Sequence, residues 1–296
     1  MARVIIAGCG FVGLATARLF SDTGWDVLGI THSPESAERL KGESIPVVAA
    51  DISNADSLRS LRTEPPADLV IHCASSNLGG ANAYQAVYHN GCENLISVLT
   101  PRRLIFTSST SVYIQVDGRV VTEESSAEPL RETGRILRTT EDLVLAAGGI
   151  VARLAAIYGP GRSVLLRRFF AGEAVIEGDG SRVINQAHRD DIAAALSTLA
   201  TLGSSGIYNV CDNAPTSQGD LYRWLSEHFS KPLPPEGPIN PARKRGWTSK
   251  RVSNQKLRDL GWSPRYPTFF DAVAKDSELV RLAVTAGSSG EKSSGD

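Results

Sequence analysis

The segment from Arg3 to Gly13, RVIIAGCGFVG, decides the fold that the sequence predicts. Its apolar run, Val4 to Ala7, has the length of a buried strand, and glycines at positions 8, 10 and 13 follow it in G-x-G-x-x-G spacing. Beyond the first two glycines, apolar side chains recur at helical spacing, as in Val12, Ala15 and Leu19. The predicted order is therefore strand, tight glycine turn and helix.

This order predicts a dinucleotide-binding turn. Gly8 permits the turn, Gly10 lets the backbone approach a pyrophosphate, and Gly13 lets the helix pack close to the strand. Free N–H groups at the start of the helix, where Phe11 and Val12 stand, then face the anion. The alternative is an ordinary strand-to-helix turn that needs small residues only for packing.

Length and composition limit the function classes. With 296 residues, of which 42% are hydrophobic and 21% charged, the chain can form one large domain or two modest ones with a substantial core. A formal net charge of -1 gives no electrostatic support for nucleic acid or an anionic membrane as the main partner.

Four cysteines are scattered through the chain without C-x-x-C spacing: Cys9, Cys73, Cys92 and Cys211. This spacing predicts neither a disulfide framework nor a zinc site, and we expect no metal. The first strand begins too early to leave room for a signal peptide, and no run of about 18 apolar residues is present. We therefore expect a cytoplasmic protein.

Strand and helix patterns alternate through the first half of the chain. Short apolar runs predict further strands at Val27–Ile30, Val47–Ala50, Leu69–Cys73, Leu104–Thr107 and Ile150–Leu154. Helical patterns separate the strands, the clearest at Phe11–Asp22, Ala55–Leu61, Ala83–Leu99 and Leu137–Ala147. Such alternation predicts an α/β protein with a doubly wound parallel sheet, whose ligand crevice lies beyond the carboxyl ends of the strands.

The second half loses this rhythm. Helices are predicted at Val164–Ala171, Asp190–Leu202 and Ser217–Phe229, with short strands at Val175–Glu177 and Ile207–Val210. The segment Pro232–Pro241, with five prolines, is predicted to be an extended surface connection. A short helix is predicted from Ser253 to the Leu260–Gly261 pair, and the tail Ala286–Asp296 is predicted to be disordered.

Several segments, taken together and in order, resemble the extended short-chain dehydrogenase/reductase superfamily, in its NAD-dependent epimerase/dehydratase branch. They are GCGFVG at 8–13, ADIS at 50–53, IHCASS at 71–76, IFTSSTSVY at 105–113, ARLAAIYGPGR at 152–162, AHRDDIAAAL at 187–196, IYNVCDN at 207–213 and KRVSNQKLRDLGW at 250–262. The resemblance implies a Rossmann domain over residues 1–158, with parts of 183–212, and a smaller α/β substrate domain over residues 159–285.

In that family a Ser or Thr holds the substrate oxygen, while a Tyr and a Lys, spaced Y-x-x-x-K, exchange and tune the proton. The resemblance places Ser109 at the first of these positions. It places Thr133 where the Tyr stands and Leu137 where the Lys stands, so the usual proton donor and its activator are both missing. The family mechanism therefore cannot be carried over unchanged.

Alternatives stay open at each of these positions. Arg138 follows Leu137 and could supply positive charge, although its very high pKa makes it poor at proton exchange. Tyr113 is either a displaced proton donor or a packing tyrosine at the strand end with its hydroxyl bonded locally. Ser109 either contacts the substrate or satisfies backbone groups at the strand end.

Two positions argue against nucleotide-sugar recognition of the usual kind. Ala156 stands where such members of the family tend to carry Asn, and Ile184 stands where they tend to carry Arg. His188, with Asp191, is expected to cap a helix or to pack between domains rather than to catalyse or bind a metal.

The end of the second strand bears on which cofactor is preferred. An NAD-binding acidic residue is expected about twenty residues after the glycines, but Thr31, His32 and Ser33 stand there instead. No carboxylate would repel a 2′-phosphate, and the three side chains could donate hydrogen bonds to one, which favours NADP and leaves NAD open. The alternative is that they form only a polar loop.

The remaining cofactor contacts follow from the resemblance. It implies that Asp51 and Ile52 lie beside the adenine, that Cys73, Ala74 and Ser75 pass under the pyrophosphate and ribose, and that Leu154 and Ile157 belong to the same crevice. Cys73 is expected to be a buried small residue rather than a nucleophile.

These features predict an NAD(P)-binding oxidoreductase or epimerase-like protein that acts on a small polar substrate, with a sugar-derived substrate left open. An oligomer is left open. The alternative is a non-catalytic module that senses NADP(H) and signals to a protein partner, which would explain Thr133 and Leu137 directly. A scaffold that binds no nucleotide is a third reading, and the intact glycines argue against it.

Overall fold

The computed structural model describes residues 1–77, 79–240 and 247–288. In chain order its strands are β1 (Arg3–Ala7), β2 (Asp26–Thr31), β3 (Val47–Ala49), β4 (Leu69–His72), β5 (Leu104–Ser109), β6 (Val120–Val121), β7 (Ile150–Leu154), β8 (Ala156–Tyr158), β9 (Ile176–Glu177), β10 (Val183–Ile184), β11 (Gln186–His188), β12 (Gly206–Val210), β13 (Thr216–Ser217), β14 (Glu236–Gly237) and β15 (Arg251–Val252).

The α-helices are α1 (Phe11–Asp22), α2 (Pro34–Arg39), α3 (Ala55–Arg59), α4 (Ala81–Tyr84), α5 (Gly91–Leu99), α6 (Glu132–Ala146), α7 (Val164–Phe170), α8 (Arg189–Leu202), α9 (Gln218–His228), α10 (Gln255–Arg258), α11 (Phe269–Lys275) and α12 (Ser277–Ser288). A π-helical turn, Gln85–Asn90, joins α4 to α5, and a 3-10 turn, Thr110–Val112, follows β5.

Seven parallel strands form the central sheet, in the order β12-β7-β5-β4-β1-β2-β3. Val4 on β1 lies opposite Val27 on one side and Leu69 on the other, so strand order reverses at the gap between β1 and β4. Every residue of β4 and β7 is buried, as in parallel strands covered on both faces. The predicted doubly wound parallel α/β sheet is therefore confirmed.

Two groups of helices pack separately in this structure. α1 packs against α8, whereas α5 packs against α3, α6 and the π-helical turn. Strand β12, from the second half of the chain, forms the sheet edge beside β7. Among the described residues, no helix combines the length and the apolar character needed to cross a membrane.

The predicted helix Ala83–Leu99 is interrupted by the π-helical turn. Buried His72, at the end of β4, hydrogen-bonds through Nε2 to the carbonyl oxygen of Val87 at 2.8 Å. In a regular α-helix that oxygen would accept the N–H of Gly91. Because the imidazole occupies the acceptor, the helix takes up an extra residue in this turn.

Two other predicted boundaries are wrong. Helix α6 begins at Glu132 rather than at Leu137. Gly134 lets the first turn of α6 lie close to Pro129, because a Cβ at position 134 would overlap the proline ring. The tail predicted to be disordered is helical as far as Ser288, because Gly287 fits closely against the end of α7. Its remaining residues, 289–296, lie outside the described range.

The proline-rich segment contains the two-residue strand β14, which pairs with β9, and its last residue, Pro241, lies outside the described range. The short helix predicted from Ser253 is present as α10, Gln255–Arg258.

Two hydrophobic clusters contain the buried apolar residues. The larger cluster surrounds the central sheet. The smaller cluster lies outside it and includes Tyr158 on β8, Leu166 on α7, and Leu279 and Ala283 on α12. These last two contacts explain why the C-terminal helix is ordered. The predicted domain boundary at residues 158–159 stays a prediction.

Titratable groups are buried where the two clusters meet. His188 caps α8, with its Nδ1 accepting the N–H of Asp190 at 3.2 Å, as the capping interpretation predicts. Asp191 accepts two backbone N–H groups from the segment before α11. Burial raises the pKa of Asp191 to about 6 and that of Asp212 to about 7. The negative charge of Asp190 adds to the rise at Asp191, and that of Asp191 adds to the rise at Asp212.

We expect the substitution Asp212→Asn to stabilise the protein at pH 8 and to reduce its pH dependence. The folded-state pKa of Asp212, about 7, lies above that of an unfolded Asp. The contribution of Asp212 to the free energy of unfolding is therefore highest at low pH, where Asp212 is protonated in both states, and it falls as pH rises through about 7. At pH 8 the gain should be on the order of 2 kcal/mol.

Urea unfolding at several pH values between about 5 and 8 measures this effect. Asp22→Asn, at the exposed end of α1, is the control and should keep the wild-type slope. Equal slopes for wild type and Asp212→Asn would contradict the prediction.

Candidate functional site

The glycine turn between β1 and α1 contains three glycines with different surroundings. Gly8 has a φ of +102°, and a Cβ there would overlap the backbone of Ala74 after β4. A Cβ on Gly13 would overlap the carbonyl oxygen of Gly8, whereas a Cβ on Gly10 would meet nothing within 4 Å. Two glycines therefore allow close packing, and Gly10 faces open space.

The start of α1 also faces this open space. Gly10 is the N-cap residue, and no side chain caps the helix. The N–H groups of the first turn, from Phe11 to Gly13, lack intrahelical acceptors, and the helix dipole is positive here. A pyrophosphate fits this end of the helix, because it can accept hydrogen bonds from the turn and meet a favourable field.

Two arginines that the sequence did not indicate lie over the ring of Phe11. The guanidinium carbons of Arg162 and Arg189 are 5.5 Å and 5.2 Å from its centroid, and Arg189 pairs with Asp190 at 2.8 Å. Both come from the second half of the chain, so no local pattern relates them to the glycine turn. They add positive charge beside the start of α1.

The end of β2 differs from the sequence prediction. Thr31 is buried, and its hydroxyl lies 3.4 Å from the carbonyl oxygens of Ser33 and Val48, so it serves the backbone rather than a ligand. His32 is 81% exposed, and its Nδ1 lies 3.7 Å from Oδ1 of Asp51. A carboxylate therefore does stand beside this strand end, contrary to the expectation from local sequence.

A cation also stands near the end of β2. Ser33 caps α2 by accepting the N–H of Ser36 at 3.3 Å, and Arg39 donates from Nη2 to Oγ of Ser36 at 2.9 Å. Arg39 is exposed and was missed by the sequence prediction, although its i, i+3 spacing from Ser36 on a helix is a usable signal.

The segment after β3 holds its shape through its own hydrogen bonds. Asp51 accepts the N–H and the hydroxyl of Ser53 at 2.9 Å and 2.7 Å. Ile52 is buried, and its carbonyl oxygen accepts a hydrogen bond from Asn94 on α5 at 2.9 Å. The structure thus places a fixed carboxylate and an apolar side chain next to each other after β3.

The segment after β4 passes beneath the glycine turn. The N–H of Cys73 donates to Ala7 at 2.7 Å, and Ala74 closes on Gly8. The hydroxyl of Ser75 accepts the N–H of Asn77 at 3.2 Å. All of these residues lie at the gap where strand order reverses, which is the position of a ligand crevice in such sheets.

The four cysteines are free thiols. Burial raises the pKa of Cys9 to about 12 and also raises those of Cys73, Cys92 and Cys211 above the ordinary value. Thiols held protonated in this way are poor nucleophiles. Cys73, which was expected to be buried, is half-buried.

Ser109 ends β5, beside Leu154 at the end of β7. Its Oγ accepts the N–H of Ser111 at 3.2 Å and so caps the 3-10 turn. The side chain is half-buried, and a hydroxyl that accepts one hydrogen bond can still donate its proton to a ligand. Ile157, on β8, is also half-buried.

Tyr113 is a packing residue in this structure. It is fully buried, its hydroxyl donates to Oδ1 of Asn209 at 2.9 Å, and the guanidinium of Arg153 stacks over its ring at 4.8 Å. Burial raises the pKa of its phenol. The hydroxyl bonds to β12 rather than to a neighbour in sequence, and this geometry does not offer it to a substrate.

Arg153 and Glu141 form a buried ion pair under the same strand ends. Glu141 accepts bonds from Nε and Nη2 of Arg153 at 3.0 Å and 2.6 Å and from Ser108 at 2.6 Å. A buried carboxylate with so many donors is well compensated. Arg138 also pairs with Glu141, and with Asp142 at 2.8 Å, so its charge is already engaged on α6.

The two positions at which the resemblance leads us to expect Tyr and Lys, Thr133 and Leu137, have different environments. Thr133 is half-buried in the first turn of α6. Leu137 is 4% exposed and belongs to the larger hydrophobic cluster. Ala156, on β8, is exposed, and Ile184, on β10, is half-buried.

Comparison with known proteins identifies relatives of this chain. A model of the NAD dependent epimerase/dehydratase family matches residues 4–211. Protein YeeZ of Escherichia coli strain K12 is 29% identical over 279 residues, which cover 90% of this chain and 97% of that protein.

Solved structures share the fold. One from Methylobacillus flagellatus, described as an NAD-dependent epimerase/dehydratase, is 26% identical with a TM-score of 0.76 and covers 95% of this chain and 98% of its own. MoeE5, in complex with UDP-glucose and NAD, is 21% identical with a TM-score of 0.71 and covers 97% of this chain and 99% of its own.

We expect Gly13→Ala and Gly10→Ala to separate folding from ligand binding. Gly13→Ala forces a methyl group into a backbone oxygen and should reduce the free energy of unfolding by about 2 kcal/mol or more. Gly10→Ala places its methyl in open space and should leave stability within about 1 kcal/mol of wild type while it obstructs a bound phosphate.

Urea unfolding and a dinucleotide titration on both variants test the pair. Loss of stability in Gly10→Ala, or wild-type stability in Gly13→Ala, would contradict the roles assigned to these glycines.

Proposed function

Because the chain belongs to the NAD dependent epimerase/dehydratase family, we propose that it binds a nicotinamide dinucleotide at the carboxyl edge of its central sheet. The observation that carries this proposal is the uncapped start of α1 together with the open space at Gly10. MoeE5, which shares the fold, is described in complex with NAD. Asp51, Ile52 and the segment after β4 would hold the adenosine half and Leu154 and Ile157 the nicotinamide half.

We propose that NADP is preferred to NAD. Thr31 does not support this preference, because its hydroxyl faces the backbone carbonyl oxygens of Ser33 and Val48. The exposed imidazole of His32 and the guanidinium of Arg39 do support it, since both are hydrogen-bond donors near the end of β2 that could bind a 2′-phosphate. The negative charge of Asp51 disfavours a 2′-phosphate and so acts against the preference for NADP.

The proposed activity is that of an oxidoreductase or epimerase on a small polar substrate. A bound nicotinamide supplies hydride exchange. Ser109, half-buried at the end of β5, would bind the substrate oxygen through its hydroxyl proton. The residues beneath it keep the strand end in place, because Arg153 and Glu141 bond to each other and to Ser108.

A non-catalytic NADP(H) sensor is the second candidate. It is favoured by the burial of Leu137 and Tyr113, since neither position presents a proton donor beside the crevice. We also propose a cytoplasmic location, in agreement with four free thiols.

We expect NADPH to bind more tightly than NADH, as measured by nicotinamide fluorescence during titration. Arg39→Ala should weaken NADPH binding about threefold to tenfold and leave NADH binding unchanged, because only the 2′-phosphate gains from the guanidinium. Arg59→Ala, an exposed arginine on α3, is the control. NADH binding as tight as NADPH binding would end the preference, and no saturable response to either would end the cofactor proposal.

We expect fractions of a metabolite extract to cause oxidation of NADPH by the protein, followed by absorbance. Ser109→Ala should then lower turnover about tenfold or more without changing NADPH affinity. Ser111→Ala, in the next turn, is the control. Unchanged turnover in Ser109→Ala would remove Ser109 from the mechanism, and tight NADPH binding without oxidation in any fraction would favour the sensor.

A further inference from the structure

Lys250, the first residue of the segment KRVSNQKLRDLGW, is a buried cation to which the sequence analysis assigns no role. It is 4% exposed and lies in the segment that leads into β15. Its Nζ donates to the carbonyl oxygen of Tyr113 and to Oγ1 of Thr248, both at 3.0 Å. An ammonium group has three protons, so two of them are placed by these bonds.

The lysine lies beyond the carboxyl end of β5. Tyr113 directly follows the 3-10 turn that Ser109 caps, so the ammonium group is held at the same strand end as that serine. On the opposite side, Asn185 donates from Nδ2 to the carbonyl oxygen of Lys250 at 2.9 Å and accepts the N–H of exposed Ala156 through its own backbone oxygen at 3.1 Å. Lys250 is therefore bonded to the segment after β5 and, through Asn185, connected to the start of β8.

A second cation, Arg182, bonds to Thr248, the same residue that Lys250 contacts. Nε of Arg182 donates to the carbonyl oxygen of Thr248 at 3.2 Å, while Lys250 donates to its hydroxyl. Both acceptors of the Lys250 ammonium are neutral, and no ion pair to a carboxylate is seen for it in the described part of the chain. Burial, with the nearby charge of Arg182, lowers the pKa of Lys250 to about 8.

A purely structural role would not require this charge. The segment is already attached to the loop after β5 by backbone bonds, from Ser249 to Gln115 at 3.1 Å and from Gly118 to Ser249 at 2.9 Å. A buried ammonium without an anionic partner costs free energy that a neutral side chain would avoid. Two cations held around one residue are instead what an anionic ligand requires.

We propose that Lys250, with Arg182 beside it, forms an anion-binding site for an oxyanion group, carboxylate or phosphate, of the small substrate. This site would anchor the substrate rather than the cofactor, and its placement in the crevice rests on the proposed function. Lys250 provides the direct contact through its ammonium group, and Arg182 raises the local positive field. Ala156 and Ile184 offer no charge at this end, so the lysine supplies the anionic recognition that those two positions lack.

The test uses sulfate as a phosphate-shaped probe and malonate as a carboxylate probe, titrated by calorimetry into the full-length protein with and without NADPH. The variants are Lys250→Met, which keeps the length of the side chain without its charge, and Lys250→Arg, which keeps a permanent charge. Lys256→Met is the matched control, because this lysine lies over the ring of Tyr208 in the following segment.

We expect at least one probe to bind wild type and Lys256→Met equally, and Lys250→Met about tenfold to a hundredfold more weakly. Both probes keep a constant charge above neutral pH, so wild-type affinity should fall as pH rises through about 8, whereas Lys250→Arg should retain it. Any sulfate that binds at the start of α1 binds there in all variants, so a difference in affinity between variants measures the contribution of Lys250. The probe that binds more tightly identifies the oxyanion as phosphate-like or carboxylate-like.

Equal affinity in wild type and Lys250→Met, no binding of either probe to wild type, or an affinity that does not change with pH would overturn the proposal. If Lys250→Met does not fold, the pH profiles of wild type and Lys250→Arg decide. Failure of the NADPH titration would instead remove the cofactor proposal and leave the anion measurements on the cofactor-free protein to be judged separately.

Discussion

The crevice depends on how closely helix α1 approaches the turn that precedes it. The first turn of the helix rests on the carbonyl oxygen of Gly8, and Gly8 rests on the backbone that follows β4. This stacking of backbone on backbone leaves no room for a side chain at either position. It fixes the start of α1 at the gap between β1 and β4, where strand order reverses. The position and direction of the helix dipole at the crevice follow from these two contacts.

The strand ends on the other side of the crevice are fixed by charge rather than by close backbone packing. Arg153 bonds to Glu141 and lies over Tyr113, whose hydroxyl reaches Asn209 on β12. The network therefore joins β7, α6, the turn after β5 and β12. Removing one member would leave a buried charge or polar group without its partner, which is far more costly than exchanging a surface residue. A tyrosine in this position contributes to the rigidity of the crevice instead of to its chemistry.

The sequence was informative where the determining contacts are local. Hydrophobic periodicity predicted the central strands and α1 closely, and the glycine spacing indicated the turn, because both depend on neighbours within a few residues. Sequence analysis failed where a side chain distant in the sequence determines the local structure. His72 alters a helix 15 residues away, and Lys250 bonds to a residue 137 positions earlier. Thr31 matched the expected position but not the expected direction, since burial turned its hydroxyl to the backbone. The C-terminal helix was missed because its apolar face is short and is recognisable only by the cluster it joins.

The protonated state of the cysteines has a practical consequence for labelling. A pKa of about 12 leaves only a very small fraction of the Cys9 thiols ionised near neutral pH, and burial raises the pKa values of the other three thiols as well. Reagents such as maleimides, which require the thiolate, would therefore react far faster with a cysteine introduced at an exposed position than with the native ones. Fluorophores or spin labels can thus be directed to introduced cysteines on either side of the crevice, and the distance between two such labels reports on whether the crevice closes when the proposed cofactor is added.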